Sequence, residues 1–544
     1  MNLMIAAALL ALTSSGEEQA HAHGPQLGKV SFPTTCNGEA DAHFQHGLGW
    51  LHSFEYAEAA DAFLAAAAAD QSCGIAYWGV AASYYHPLWA PPSAAELEKA
   101  TAAIAKAKAA GAKSARERDY IAAIETFYRG SDTLDHKTRA AAYSAALEQL
   151  HKRYPADREA AVLYALSLIA LGTMDQDPEF SKEKQAGAIL NAILAQQPDH
   201  PGVAHYLIHN FDYPALAELA LPAARRYASI APDSPHAQHM PSHIFVRLGL
   251  WEEAVRSNLA AEAAARKQAR EQGLAGSSSE RLHAMDYLAY GYLQMGRDRE
   301  AQRVLSELTA IERADPPIFS VAYAATAVPA RLMLERRQWR DAAALTLPEN
   351  VRNLAPLANF QWGEAHIHFT RAIGAARSGN AAATRDEVAK LRAIEQAMTV
   401  PPGTYDWKTQ VSIERQIAEA WLAFAEGRKE EAARIMRAAA DLDDASEKHP
   451  VTPGAILPAR EQWGELLLEL GRPAEALAEY EASLKRAPKR LAGVYGSARS
   501  AKLAGDMAKA RRYYAELLEI TQSGDGTRAE VQEARAFMSG GAGR

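Results

Sequence analysis

Cysteine is nearly absent. Only Cys36 and Cys73 occur in 544 residues, which excludes a thiolate zinc cluster and a disulfide-dense scaffold. Positive charge is not in excess either: 58 Lys and Arg against 66 Asp and Glu give a net charge of -8. Without a basic stripe to displace counterions, nucleic acid is excluded as a partner. Long apolar runs are missing, since the stretch from Met4 to Leu12 is too short to span a bilayer. No segment alternates β-branched and polar residues as a strand does, and there is no Gly-rich phosphate loop, no Gly-x-Ser-x-Gly elbow and no His-Glu-x-x-His. What remains is a chain rich in Ala, Leu, Glu and Arg, with 48% hydrophobic residues, enough for a continuous helical core.

The chain repeats itself. Near the C-terminus, ELLLELGRPAEALAEYEASLKRAPKR is followed by ARSAKLAGDMAKARRYYAELLEI, and Ala476 and Tyr480 recur 34 residues later as Ala510 and Tyr514. The same small-then-large spacing fits Ala59 and Phe63, Ala220 and Ala224, Ala254 and Asn258, Ala301 and Leu305, and Ala432 and Met436. A period of 34 built from two helices resembles the tetratricopeptide repeat (TPR) superfamily. That resemblance implies an all-α, TPR-like solenoid of stacked antiparallel helix pairs, each burying its face only against its neighbours. The expected organisation is a signal peptide over 1–22, a lead over 23–39, a solenoid carrying the histidines over 40–400, further repeats over 401–535 and a disordered tail over 536–544. Loops are expected at Pro87 to Pro92, Asp175 to Lys184, Gly273 to Ser279, Pro401 to Asp406 and Pro450 to Pro458, some of them covering a site.

One chemical constellation stands out. His205 and His209 recur 34 residues on as His239 and His243, inside PDHPGVAHYLIHNF and PDSPHAQHMPSHIF. Residues i and i+4 share a helix face about 6 Å apart, close enough for two imidazoles to bind one metal ion. Pro241 stands between the second pair, where a proline inside a helix costs about 3 kcal/mol; the spacing predicts either a kink set by the site or a helix that restarts. The resemblance further implies that positions two, five, nine and twelve of each first helix line a concave groove. On that register His236 and His283 take position two, Asp286 position five, Tyr290 position nine and Asp212 position twelve. The expected metal ligands are therefore His205, His209, His236, His239, His243, His283 and Asp286. Asp212, Tyr206 and Tyr290 are candidates for orienting substrate or ligand.

Other groups carry weaker expectations. Glu364, His366 and His368 in WGEAHIHF are read as outer-sphere or substrate contacts. His43, His46 and His52 are read as packing or capping, and Trp50, Tyr77, Trp78 and Trp89 as core and loop aromatics. The expected cofactor is a divalent transition metal, zinc or copper, with iron and nickel also compatible with imidazole. The stretch after Leu12 ends in Ala20-His21-Ala22, a small-x-small cleavage signal. It predicts export to the periplasm or beyond, with Cys36 and Cys73 joined as a disulfide. Three functions follow: a mono- or dinuclear metal-dependent hydrolase or oxidase, a metal carrier or sensor without turnover, and a scaffold gripping a peptide or small molecule in its groove.

Overall fold

The computed structural model describes residues 25–88, 91–401 and 404–540, so the expected signal peptide, Trp89 and the last four residues of the tail lie outside the described residues. The chain is an all-α solenoid of antiparallel helix pairs, as the repeat spacing predicts. The only strands among the described residues are Ser277–Ser278 and Ala314–Asp315, a short parallel pair that ties two loops together. Residues 536–540 belong to the last helix, Ala529–Gly540, so the ordered chain runs further than the expected tail boundary. Among the described residues no helix is long and apolar enough to cross a membrane.

The small-then-large spacing works by close approach. Ala59, Phe63, Ala476, Tyr480, Ala510 and Tyr514 are all buried. Phe63 fits because Gly47 and Gly79 on the flanking helices Gly38–His52 and Gly74–Ala82 have no side chain; a Cβ at Gly47 would meet the Phe63 ring at 2.8 Å. Tyr480 is received in the same way by Gly464 and Gly496. Helix starts are capped by Asn37, Ser93, Asp135, Ser234 and Ser278, each accepting a backbone N–H. One hydrophobic cluster runs from Leu27 to Tyr480, and a second covers Leu477 to Ala534. Cys36 and Cys73 form a disulfide with Cα atoms 5.0 Å apart, tying the lead to the start of helix Gly74–Ala82.

Three first helices deliver the histidines: Pro201–Asn210, the broken helix Pro235–His239 and Pro241–Arg247, and Ser279–Gln294. Pro241 opens the second half of the broken helix, and Met240 between the halves keeps helical dihedrals of -52° and -37°. The helix therefore restarts at the proline with little bend in the chain. The stretch from Pro450 to Pro458, expected as a loop, is a strap across the groove. Its carbonyls at Val451 and Gly454 accept from Tyr287, Tyr323 and Arg331.

Candidate metal centre

The six histidines form two groups of three. His205 and His209 meet His236, and His239 and His243 meet His283, with the ligand nitrogens of each group within 4.8 Å of one another. Each group takes an i, i+4 pair from one first helix and a third imidazole from the next. The groups are neighbours, with the rings of His209 and His243 6.2 Å apart.

Outer contacts fix which nitrogen carries the proton in three of the six rings. His205 Nδ1 donates to the carbonyl of His52 at 2.7 Å. His239 Nδ1 donates to Asn258 Oδ1 at 2.7 Å, and that amide is oriented because its Nδ2 donates to Ala254 O. His243 Nδ1 donates to Asp212 Oδ2 at 3.2 Å. A neutral imidazole has one N–H, so Nε2 of His205, His239 and His243 each presents a lone pair inward. Yet His239 Nε2 and His243 Nε2 lie 3.0 Å apart, and His205 Nε2 lies 3.1 Å from His236 Nε2. Two nitrogens bound to one ion at about 2.0–2.1 Å, with an angle of about 90–110°, are themselves about 2.9–3.4 Å apart. Both spacings are compatible with a coordination edge, and at His239 and His243 the two fixed lone pairs face one another. Burial, reinforced by neighbouring imidazoles, pushes the pKa of His205, His209, His236, His239 and His283 well below the usual histidine value. Burial lowers His243 too, against the pull of Asp212. All six are thus neutral near pH 7, the form that binds metal.

A third cluster shows the opposite arrangement. His52, Glu159 and His200 are also close enough for an ion, but His200 Nδ1 accepts the Val203 N–H at 3.3 Å. Its Nε2–H therefore donates to Glu159 Oε1 at 2.5 Å. His52 Nε2 donates to Glu159 Oε2 at 3.0 Å, and its Nδ1 accepts from Tyr206 at 2.9 Å. Burial alone would raise the Glu159 carboxyl, but the two imidazoles hold it well below the usual carboxylate range. Every inward position is satisfied, so this trio is a buried brace. It holds the turn at His52 whose carbonyl orients His205.

The remaining sequence expectations divide. Asp212 touches the centre from outside, accepting from His243, from Arg247 at 2.8 Å and from Lys448 at 3.0 Å. Asp286 does not face the imidazoles: it pairs with the buried Arg331, and its other oxygen is buried without a partner. A guanidinium taken out of water requires a counterion, and Asp286 supplies it. Burial pushes its carboxyl up to about 6 even so. Tyr290 accepts from Arg490 at 2.7 Å, and the Tyr206 hydroxyl is committed to His52; neither hydroxyl is turned to the metal groups. Glu364 pairs with Arg352 at 2.6 Å, His368 with Glu387 at 2.6 Å, and His366 Nδ1 donates to Thr326 at 3.1 Å. The WGEAHIHF segment thus joins neither group. His46 packs on Trp50.

Several residues escaped the sequence reading. Tyr287, one turn after His283, places its ring 4.6 Å from His239 and 5.2 Å from His243. Phe54 packs 4.4 Å from His205 and 5.5 Å from His209. Asn258 carried a visible signal: it is the one polar residue at a position where the repeats otherwise place Phe63, Leu305, Met436, Tyr480 or Tyr514. Lys448 carried none, because it arrives from 236 residues away in sequence, just before the strap. Beside the strap a cavity of about 110 Å³ opens between Arg247, Tyr290, Lys448 and Arg490.

No protein-family model matches the chain, and no curated relative matches it. Among solved structures it is similar to a tetratricopeptide repeat protein from Parabacteroides merdae, at 11% identity over 56% of this chain and 98% of that one, with a TM-score of 0.30. It is also similar to yeast Tom70, at 11% identity over 92% and 96% of the two chains and a TM-score of 0.32. A human IFIT1 dimer with m7Gppp-AAAA matches at 12% identity over 82% and 90%, with a TM-score of 0.36. These are likenesses of helical repeat architecture and extend to no ligand or activity.

Proposed function

We propose that this TPR-like solenoid is an exported metalloprotein whose six groove histidines hold two transition-metal ions, three imidazoles each. The observation that carries the reading is the Nε2···Nε2 approach of His239 and His243 at 3.0 Å, in which the Nδ1 donors of both rings oblige their lone pairs to face one another. Three nitrogens per ion leave a coordination position for water or substrate, the arrangement of a catalytic rather than a closed structural site. Bound zinc would supply a water of lowered pKa for hydrolysis, and a copper pair would supply oxidation chemistry. The protein's own part is to keep the imidazoles neutral and to aim them through His52, Asn258 and Asp212.

Metal content of natively purified protein is the test. Two equivalents of one metal are expected, falling to about one in His236→Ala and to background in the double variant His205→Ala/His239→Ala, with the helical signal kept because repeat stability is spread over many interfaces. Metal stoichiometry unmoved by the double variant sinks the reading and returns the protein to the scaffold class. The carrier reading has its own support, since His239, His243 and His283 are only 1%, 3% and 8% exposed beneath the strap. An ion retained there through prolonged turnover assays, with no chemistry on any substrate, would favour storage.

A further inference from the structure

We propose that the hollow beside the strap binds a short amino acid as a zwitterion, with its ammonium inward on Glu414 and His366 and its carboxylate outward on Arg247 and Lys448. The site adjoins the six histidines through Asp212 and does not rest on the metal reading. Two cavities make it up. The outer one, about 110 Å³, is walled by Arg247, Lys448, Arg486 and Arg490. The inner one, about 30 Å³, has His366, Glu414, Tyr405 and Trp407 around it and is lined by the strap at Thr452, Gly454 and Leu457. Gln410, Asp443, Lys448 and Gly454 line both, so the two adjoin. A single water needs about 10–15 Å³. The inner cavity therefore suits a group the size of an ammonium, and the outer one suits several heavy atoms.

The inner floor carries acceptors without donors. Thr326 Oγ1 donates to Ala322 O at 3.0 Å and therefore accepts from His366 Nδ1 at 3.1 Å. Burial lowers His366 to about 3, so the ring is neutral and has one N–H. Its Nε2 lone pair faces Glu414 Oε1 across 3.6 Å. Two acceptors at that separation make no hydrogen bond with each other and accommodate a donor between them. Glu414 Oε2 is buried with no hydrogen-bond partner among the described residues. Asp443 adds a second carboxyl, which accepts the Ala459 N–H at 3.0 Å. Burial pushes Glu414 well above the usual carboxylate range and Asp443 up to about 6. An ammonium brings three N–H donors and a positive charge, which is what this floor lacks. Trp407 packs against Trp362 at 4.7 Å and His449 at 5.2 Å. Against so apolar a wall an unanswered carboxylate costs most and a charge-assisted hydrogen bond gains most.

The outer end excludes a bare cation. Arg247 donates from Nε and Nη2 to Asp212 and Glu447, and Lys448 Nζ donates to Asp212 Oδ2 and Pro450 O. Among the described residues no acceptor takes Arg247 Nη1 or the third N–H of Lys448, although both side chains are only 11% exposed. Arg490, in contrast, is spent on Tyr290, Glu335 and Glu461. An amine reaching the floor passes these cations, and an anion held by them ends against Glu414. A molecule bearing both charges answers both ends.

The test is calorimetric titration of the full chain near pH 7 with 4-aminobutanoate and L-alanine, which differ in charge spacing, and with butylamine and butanoate, which each lack one charge. At least one zwitterion is expected to bind roughly tenfold or more tighter than both single-charge ligands, the difference made by one charge-assisted hydrogen bond. Glu414→Gln keeps the shape of the floor and removes its charge, so it should bring the zwitterion down to the affinity of butanoate. Lys448→Met should bring it down to that of butylamine, and it decides the matter if the glutamine variant does not fold. A zwitterion that binds no tighter than butylamine and butanoate, or an advantage that survives in either folded variant, overturns the proposal. Metal content measured on the same samples judges the metal reading separately.

Discussion

Asn258 offers the sharpest test of the proposed metal centre, because it is not itself a proposed ligand and its influence passes through one atom. Its Oδ1 accepts the Nδ1–H of His239 at 2.7 Å, and its own Nδ2 is anchored on Ala254 O at 2.7 Å. With the acceptor removed, the His239 ring loses both its orientation and the tautomer that aims Nε2 inward. Losing such an outer partner costs about 10- to 100-fold in metal affinity, equivalent to about 1.4–2.8 kcal/mol. Asn258→Leu should show that loss for the ion at His239, His243 and His283, and leave the ion at His205, His209 and His236 near its original affinity. Asn258→Asp retains an oxygen at the same place and should keep the affinity within a fewfold of the wild type. Competition against a chromophoric chelator measures both constants, and His368→Ala, paired with Glu387 away from both groups, serves as the unaffected reference. If Asn258→Leu binds two ions as tightly as the wild type, then the imidazole is not held by its tautomer, and the central inference about facing lone pairs fails with it.

Three further outcomes are expected. Gly496→Ala should lower stability by about 1–3 kcal/mol in urea denaturation, because its methyl runs into the buried Tyr480 ring, whereas a cost below 0.5 kcal/mol would mean that the repeat interface yields more readily than close packing allows. Glu465 is held at about 2 by Arg337, 2.9 Å away, although burial alone would raise it; its contribution is present above the unfolded value near 4.5 and fades as pH falls toward 2. Thermal melts should therefore show Arg337→Met levelling part of the wild-type loss between pH 4.5 and 2. Mass spectrometry of exported protein should find an N-terminus near His23 and a Cys36–Cys73 disulfide whose removal costs about 3–4 kcal/mol for a closed loop of this size; an intact Met1 with two free thiols in native material would remove the export reading.

The architecture was legible because repeats state their own geometry. Ala at the crossing and a large ring four residues later encode the close approach at Phe63 and Tyr480, and the matching glycines stand on the neighbouring helices. Period and helix face also brought the six histidines together as one patch, while their division into two trios, His236 with the first pair and His283 with the second, came from the structure. What could not be read was anything supplied across long sequence distance. Lys448 and, on the strap that follows it, the carbonyls of Val451 and Gly454 enter from more than 150 residues beyond His283. Glu159 converts two histidines from prospective ligands into donors, and a list of residue types cannot distinguish those two states. The proton on one nitrogen decides, and its place is set by what lies behind the ring.

The repeat also explains why Asp286 was expected at the centre and is found beside an arginine. His205 and His209 shift by 34 to His239 and His243. A further shift, lengthened by the 13 extra residues between the anchors Ala254 and Ala301, arrives at Asp286 and Tyr290. A solenoid whose helices stack by translation generates the same groove position again and again, so the third member of the series had to be filled or closed. Here the imidazole pair gives way to a carboxylate and a phenol, and their partners are Arg331 and Arg490. The guanidinium of Arg331 is fully buried and also donates to Tyr323 and Gly454 O. A fixed cation with its own hydrogen bonds therefore stands where the series would otherwise present another inward-facing pair. Substitution at Arg331 should consequently behave unlike substitution at a structural surface arginine: Arg331→Met leaves Asp286 buried and uncompensated, a loss of about 3–5 kcal/mol, and Arg331→Met/Asp286→Leu should recover most of it. A double variant no more stable than Arg331→Met alone would show that the arginine serves the strap through Gly454 and not the repeat position it occupies.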